Sequence, residues 1–468
     1  MPMPKTRLKT KEGADLASSQ AQLSSTDVIH SLKHILDYAK PYQALVKRSE
    51  QAEHCGQMLT GLASNLERKS IEPIANLHAI PRRGLQRFVG ENGWSHEPLV
   101  HQLRAEVAVE IGGDDAQVLL DGSAFPKKGT KTVGVKRQHC GTLGKVDNCV
   151  VGVFAAYVGR SEQAALVSGE LFLPEEWCTD RDRREEAFVP KGVSYRTQPE
   201  IALDMLVELA GEMPFGWVGG DDEFGRTQAL RDEARQLGKN YVFDVPCDTQ
   251  VRTVDAHGRM RDRIWRADRL LRQRKESEWT YMVVNYGEKG PIKVRALALP
   301  VVTRREHGQW VSETLLFIED ANSQELWFCL ANAPEGTPLE ELVKRARLRH
   351  RIEEVFEECK GEVGLDHFEV RAWHGWYHHI TLCQIAHWFL VRERRRLGKK
   401  STRAHGEHAA SGDRATAGAQ AELRAISTRA QQDVESQRGG PAWALPREVH
   451  GAPAAASTPV SCYMHVAQ

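Results

Sequence analysis

The stretch Val118-Leu-Leu-Asp121-Gly-Ser-Ala-Phe-Pro-Lys-Lys-Gly129 restricts the fold more than any other part of this chain. Three apolar residues end in an acid, followed by glycine, proline and two lysines. This reads as a buried strand that delivers one carboxylate to its C-terminal tip. Between Asp121 and Asp147 the chain carries Lys127, Lys128, Lys131, Lys136, Arg137 and Lys145 and no acid. A cationic loop beside a carboxylate suits a metal-bound phosphodiester. An aspartate after a strand more often serves a turn or a helix cap, and a lysine-rich loop is usually just solvated. The chemical reading therefore needs more carboxylates in matching contexts.

One follows in Phe215-Gly-Trp-Val-Gly-Gly-Asp221-Asp-Glu-Phe-Gly225, a short strand ending in acids ahead of a helix over Thr227 to Leu237. Asp221, Asp222 and Glu223 compete for one ligand position. A strand tip aims its last residue at the crevice, which favours Asp221 and leaves Asp222 or Glu223 to cap the helix. Val150 to Val158, Ala165 to Leu173 and Tyr241-Val-Phe-Asp-Val-Pro read as further strands, with a helix near 198–212. The order is that of an α/β domain, a mixed sheet with flanking helices. Residues 250–336 read as an antiparallel β insertion that carries the basic stretch Arg259 to Lys275. One helix is expected from Pro338 to Lys360, with Arg349, Glu353 and Lys360 near one face, where i,i+4 ion pairing is the ordinary explanation. A final helix covers about Trp376 to Leu397. The histidines of Trp373-His-Gly-Trp-Tyr-His-His379 are expected to pack, since carboxylates suit magnesium better.

Residues 1–24 are polar and 399–468 are rich in Ala, Ser, Gly and Arg without apolar periodicity, so both are expected to be disordered. Residues 25–112 read as helices separated by Pro41, Pro81 and Asn92-Gly-Trp-Ser. Arg82, Arg83 and Arg87 lie on a middle helix, compatible with a helix-turn-helix-like DNA reader. With 63 basic and 63 acidic residues the net charge is zero, so any nucleic-acid surface must come from local segregation of charge. Nine cysteines without a C-x-x-C pair argue against a disulfide framework or structural zinc and favour a reducing cytoplasm. No apolar run approaches the roughly 18 residues of a membrane span, and no apolar signal region opens the chain.

Four segments together resemble the bacterial insertion-sequence DDE transposases of the "seven-oh-one" group. They are Asp121 to Gly129, Val133-Gly-Val-Lys-Arg-Gln-His-Cys-Gly-Thr-Leu-Gly-Lys-Val-Asp-Asn-Cys149, Gly220 to Gly225, and Arg349-His-Arg-Ile-Glu353-Glu-Val-Phe-Glu-Glu-Cys-Lys360 continuing to Arg371. The resemblance spans about residues 30–397. It implies an RNase H-like domain in which Asp121, Asp221 and Glu353 bind two Mg2+ ions (Mn2+ able to substitute) and Arg349 and Lys360 contact DNA. It also implies terminal inverted repeats and target DNA as partners, with a homodimer joining two ends. Lys127, Lys128, Lys136 and Arg137 are expected to add phosphate contacts, and the bacterial nucleoid is the expected location. Three features depart from the pattern: Ala346 stands where other groups often have Tyr, Asp121 is followed by no second acid, and the tail matches nothing in the group. Two alternatives remain, a nuclease of this fold that cuts without joining and a DNA-binding relic without activity.

Overall fold

The computed structural model describes residues 25–255, 257–287 and 290–397. Five helices open the chain: α1 Ser25–Ala44, α2 Ser49–Leu62, α3 Ile71–Leu77, α4 Arg82–Gly90 and α5 Glu97–Ile111. Helix α1 runs through Pro41, where the sequence suggested a break. The ring sits in the last helical turn, so the missing N–H removes one bond near an end that frays in any case.

Four strands follow, β1 Gln117–Pro126, β2 Lys136–Cys140, β3 Lys145–Val158 and β4 Ala164–Phe172. Next come α6 Glu175–Thr179, α7 Arg181–Glu186, α8 Gln198–Glu212, β5 Trp217–Gly220, α9 Asp222–Gly225, α10 Gln228–Gln236 and β6 Asn240–Asp244. Thr197 and Glu200 form a reciprocal capping box that starts α8. The chain continues with β7 Gln250–Val254, β8 Met260–Arg266, α11 Ala267–Leu271, β9 Thr280–Gly287, β10 Gly290–Arg304, β11 Trp310–Asp320 and β12 Leu326–Asn332. All these strands belong to one sheet in the order β2-β3-β1-β5-β6-β12-β11-β10-β7-β8, with β4 also on β3 and β9 also on β10. Among the described residues only β1 with β5 and β5 with β6 pair parallel. The α/β class expected from the sequence thus takes the form of a mixed, mostly antiparallel sheet with flanking helices.

Two expectations change here. The cationic stretch after Asp121 is not simply a loop. β1 continues to Pro126, and Lys136 to Cys140 pairs with Cys149 back to Lys145 as a hairpin. Residues 250–336 also do not stand apart from the sheet, because β12 pairs antiparallel with β6 and carries the same sheet onward.

The last three helices are α12 Leu339–Arg347, α13 His350–Val363 and α14 Trp373–Leu397. One helix was expected across the first two. The chain instead tightens at Leu348 and Arg349, where Arg349, Arg351 and Ile352 donate to carbonyls only three residues back. Helix α14 is buried from Gly375 to Val391. Its apolar side chains share one core with Tyr38, Leu59, Phe88 and Leu103 of the opening helices and with Phe125 and Phe154 of the sheet. The His378 ring bonds the carbonyls of Val89 (2.9 Å) and Trp94 (2.8 Å), and Tyr38 donates to Ile385 O at 3.0 Å. Residues 33–112 therefore bury apolar side chains against residues 373–391, and a fragment of them alone would expose this surface. The expected disorder of 1–24 and 399–468 lies outside the described residues.

Candidate active site at the ends of the parallel strands

The parallel pairing of the three strands stops in register. Leu120 is opposite Gly220 and Gly220 is opposite Phe243, so the next residue of each strand, Asp121, Asp221 and Asp244, forms a row across the sheet. Parallel strands direct such residues to the crevice beyond their C-terminal ends. β1 goes on past Asp121 but pairs there only with β3, which leaves the β5 side open. Glycine lets α9 settle onto this edge, because a Cβ on Gly225 would overlap the Asp244 carbonyl oxygen.

Each aspartate has a different set of partners. Asp121 Oδ1 accepts from the Gly122 N–H at 2.7 Å. Asp221 Oδ1 accepts from the N–H groups of Glu223 (3.0 Å) and Phe224 (3.4 Å), so Asp221 itself caps α9. The helix expected over 227–237 with Asp222 or Glu223 as its cap is α10, which follows α9 and starts after Thr227 without a side-chain cap. Asp222 turns outward to Arg226 at 2.5 Å, and Glu223 accepts from Gln198 at 3.1 Å. Asp244 receives Arg349 Nε on Oδ2 at 2.9 Å and the Cys329 thiol on Oδ1 at 3.2 Å.

The turn between α12 and α13 brings in the remaining groups. Arg349 Nη1 lies 2.9 Å from Glu353 Oε1, and His350 Nδ1 lies 2.9 Å from Glu353 Oε2. Two turns further along α13, Lys360 donates to Thr142 Oγ1 at 3.3 Å and lies 5.6 Å from the centre of the Phe125 ring. A cavity of about 300 Å³ opens beside the site, lined in part by Asp244, Trp327, Arg349, His350 and Glu353.

Four carboxylates therefore surround a single guanidinium, and the electrostatics follow. Burial first, and then Asp221, push the Asp121 carboxyl up to about 7, against the Gly122 N–H and Arg349. Burial raises Asp221 against the two capping amides. Burial raises Asp244 to about 6 against Arg349 and the Cys329 thiol. Mutual repulsion in a buried site is what a divalent cation would relieve, and carboxylate oxygens are the hard donors that Mg2+ takes. Asp121 and Asp221 fit such an ion. Glu353 gives its oxygens to Arg349 and His350, and among the described residues no three His, Cys, Asp or Glu side chains converge as a finished metal set.

The other residues singled out in the sequence lie apart. Lys127 points inward, donating to Phe368 O at 2.9 Å with its ammonium 3.3 Å from the Phe368 ring centre. Lys128 and Arg137 are exposed, and Lys136 pairs with Glu176 at 2.8 Å. On α4, Arg82 pairs with Glu72 (3.1 Å), Arg83 forks onto Glu91 (2.6 and 3.0 Å) and Arg87 is exposed. The histidines of 374–379 bond backbone carbonyls, as with His374 to Gly90 O (3.0 Å) and His379 to Gly364 O (3.0 Å). Asp244 is the site residue that sequence reasoning missed. Its signal was present, since Tyr241-Val-Phe-Asp244 repeats the apolar run ending in an acid, but Val-Pro follows it instead of glycine.

The row of strand-end carboxylates thus faces the turn that carries Arg349 and the helix that carries Glu353 and Lys360. The family model described as DDE superfamily endonuclease matches residues 41–300, just over half the chain, and the chain belongs to that family. That match includes Asp121, Asp221 and Asp244 and ends before Glu353. Over 221 residues the chain is 29% identical to a probable transposase for insertion sequence element IS701 from Microchaete diplosiphon, covering 46% of this chain and 54% of that protein. The chain thus spans about half the length of the curated relative it matches. A solved piggyBac transposase synaptic complex with hairpin DNA aligns over 90% of this chain and 84% of its own at 10% identity and TM-score 0.39, too distant a likeness to argue from.

Proposed function

We propose that this chain is a bacterial insertion-sequence transposase that binds the terminal inverted repeats of its element, cuts there and joins the freed end to target DNA. The observation that carries the reading is the in-register row of Asp121 and Asp221 with Glu353 on the helix beside it, an excess of buried negative charge in a site open to the crevice. The strand succession β4-β3-β1-β5-β6, with β3 antiparallel to β1, supports an RNase H-like core. Asp121, Asp221 and Glu353 are the residues that would hold Mg2+, or Mn2+ in its place. When bound, two such ions supply activation of the attacking water or 3′-hydroxyl and charge stabilisation on the leaving oxygen.

The chain's own residues do the rest. Arg349 offsets part of the carboxylate charge and holds Glu353 at the site. Lys360, which burial holds below the ordinary lysine range, stands at the rim where a scissile-strand phosphate would approach. Lys128, Lys136 and Arg137 beside the hairpin, and Arg82, Arg83 and Arg87 on α4, supply phosphate contacts that fix register without reading sequence. Two copies of the chain bring two element ends together, in the bacterial cytoplasm at the nucleoid.

The test is a plasmid carrying the element's own ends, incubated with the full chain and Mg2+ and scored for nicked, linear and joined products. Cleavage with joining supports the reading. Cleavage without joining reduces it to a nuclease, and binding without either leaves a DNA-binding relic.

A further inference from the structure

We propose that Asp244 is a positioning residue that sets Arg349, and through it Glu353, for metal binding. The inference rests on the reading of Asp121, Asp221 and Glu353 as the metal-holding residues. Four observations carry it. Asp244 is in register with Asp121 and Asp221, yet both of its oxygens are already engaged, one by Arg349 Nε at 2.9 Å and one by the Cys329 thiol at 3.2 Å. Arg349 is three-quarters shielded from solvent, and its other arm lies 2.9 Å from Glu353 Oε1. It occupies the tight turn between α12 and α13, where the backbone supplies a fixed starting point for the side chain. The Asp244 end of the link is fixed as well, by β12 on one side and α9 on the other.

Arginine suits this position because its guanidinium presents separate donors in a rigid fork and can bridge two carboxylates at once. Asp244 takes one edge of that fork and so decides where the other points. Without Asp244 the guanidinium is free to swing toward Asp121 and Asp221, whose charges also act on it, and to occupy the space of the cation. Asp244 therefore acts through Arg349 and is not itself a ligand.

The experiment measures Mn2+ affinity of the full chain by titration calorimetry, with the denaturation midpoint recorded for every variant. Asp244→Ala is expected to weaken Mn2+ binding about 10- to 100-fold, the usual effect of removing a residue that orients a ligand. Asp244→Asn, whose carbonyl oxygen still accepts from Arg349, is expected to stay within a few-fold of wild type. The Asp244→Ala/Arg349→Lys double variant should bind no more weakly than Arg349→Lys alone, because the first change acts only through the second residue. Arg349→Lys, which keeps the charge but loses the fork, should repeat the Asp244→Ala loss even if Asp244→Ala does not fold. Wild-type affinity in Asp244→Ala or Arg349→Lys overturns the proposal. So does an Asp244→Asn as weak as Asp244→Ala together with a double variant weaker than Arg349→Lys, which would make Asp244 a ligand. If Asp121→Asn and Glu353→Gln also bind Mn2+ like wild type, the underlying metal-site reading fails instead.

Discussion

Two buried charge clusters each include a residue of β6, Tyr241 in one and Asp244 in the other, and are built from the same residue types in opposite proportion. On the extension side, Glu313 is fully enclosed and receives Arg231 Nε at 3.0 Å, Arg305 Nη1 at 3.3 Å and the hydroxyls of Tyr241 (2.5 Å) and Thr303. Arg305 also meets Asp232 at 2.7 Å, so two guanidinium groups face two carboxylates. On the strand-end side, one guanidinium, that of Arg349, faces Asp121, Asp221, Asp244 and Glu353, with His350 beside Glu353. The outcomes diverge accordingly. Arg231 and Arg305 hold Glu313 below the usual glutamate range despite its burial, whereas Asp121 is driven up to about 7. A satisfied cluster of this kind holds elements together, here α10 against β10 and β11. An unsatisfied one persists at a cost to stability and marks chemistry. Arg231 also donates to the Gly225 carbonyl, so the structural cluster braces the helix that rests on the end of β6.

The sharpest way to break this contrast is to remove one charge from each side. Asp121→Asn, Asp221→Asn and Glu353→Gln are each expected to lower cleavage and joining on the order of a thousandfold or more, the scale of losing one essential catalytic group. Binding to the element end should stay near wild type, because phosphate contacts come from Lys and Arg elsewhere. For Asp121→Asn the denaturation midpoint should hold or rise, since a disfavoured buried charge has gone. Glu313→Ala should do the reverse. It leaves two guanidinium groups buried without their shared partner and should cost about 3–5 kcal/mol in urea unfolding. If Asp121→Asn unfolds the chain while Glu313→Ala does not, the functional and structural roles have been exchanged.

Acidity separates the clusters without mutation. With its folded value near 7 against an ordinary 3.8, Asp121 binds a proton more tightly folded than unfolded, so in a chelator its contribution to stability should rise as pH falls from about 7 toward about 5. Glu313 has the opposite sign. Its contribution is present above the unfolded glutamate value and is lost only as pH drops below it, so it is silent in that window. The thermal midpoint of wild type relative to Asp121→Asn should therefore climb on acidification, on top of the loss both share as His96, His378 and His379, which burial holds down to about 4, favour the protonated unfolded chain. Saturating Mg2+ should reverse the trend, because the ion binds only the ionised carboxylates. An equal slope in wild type and Asp121→Asn would remove Asp121 as the source.

How much of this was legible depended on whether the information was local. Asp121 and Asp221 could be read because an apolar run, an acid and a glycine are adjacent in sequence and the strand end follows from them. Asp244 had the run and the acid, but its role is set by Arg349, more than a hundred residues later in the chain. The turn at Leu348 and Arg349 was hidden because the apolar stripe Leu342, Val343, Ala346, Ile352, Val355, Phe356 keeps helical spacing across it. The hairpin of β2 and β3 reads as a solvated lysine loop because one exposed face of a ribbon and a loop have the same composition. The continuation of the sheet through β12 is a pairing with β6, which periodicity within either segment does not encode.

The smallest expected effects come from two adjacent residues that the sequence treats alike. Lys128 is exposed, so Lys128→Ala should leave folding unchanged, weaken binding to the element end modestly and lower the slope of log affinity against log salt by about one, the signature of one lost phosphate contact. Lys127 is the same residue type one position earlier, but its ammonium donates to Phe368 O and sits over the Phe368 ring, and burial holds it down to about 8. It ties the end of β1 to the segment between α13 and α14. Lys127→Ala should therefore leave the salt slope near wild type and lower stability by about 1–3 kcal/mol, the range for a lost charge-assisted hydrogen bond with its cation–π contact. The two measurements together decide the matter. A salt slope that falls for Lys127→Ala would place that ammonium on DNA after all, and a stability loss for Lys128→Ala would extend the structural role of this stretch into its exposed part.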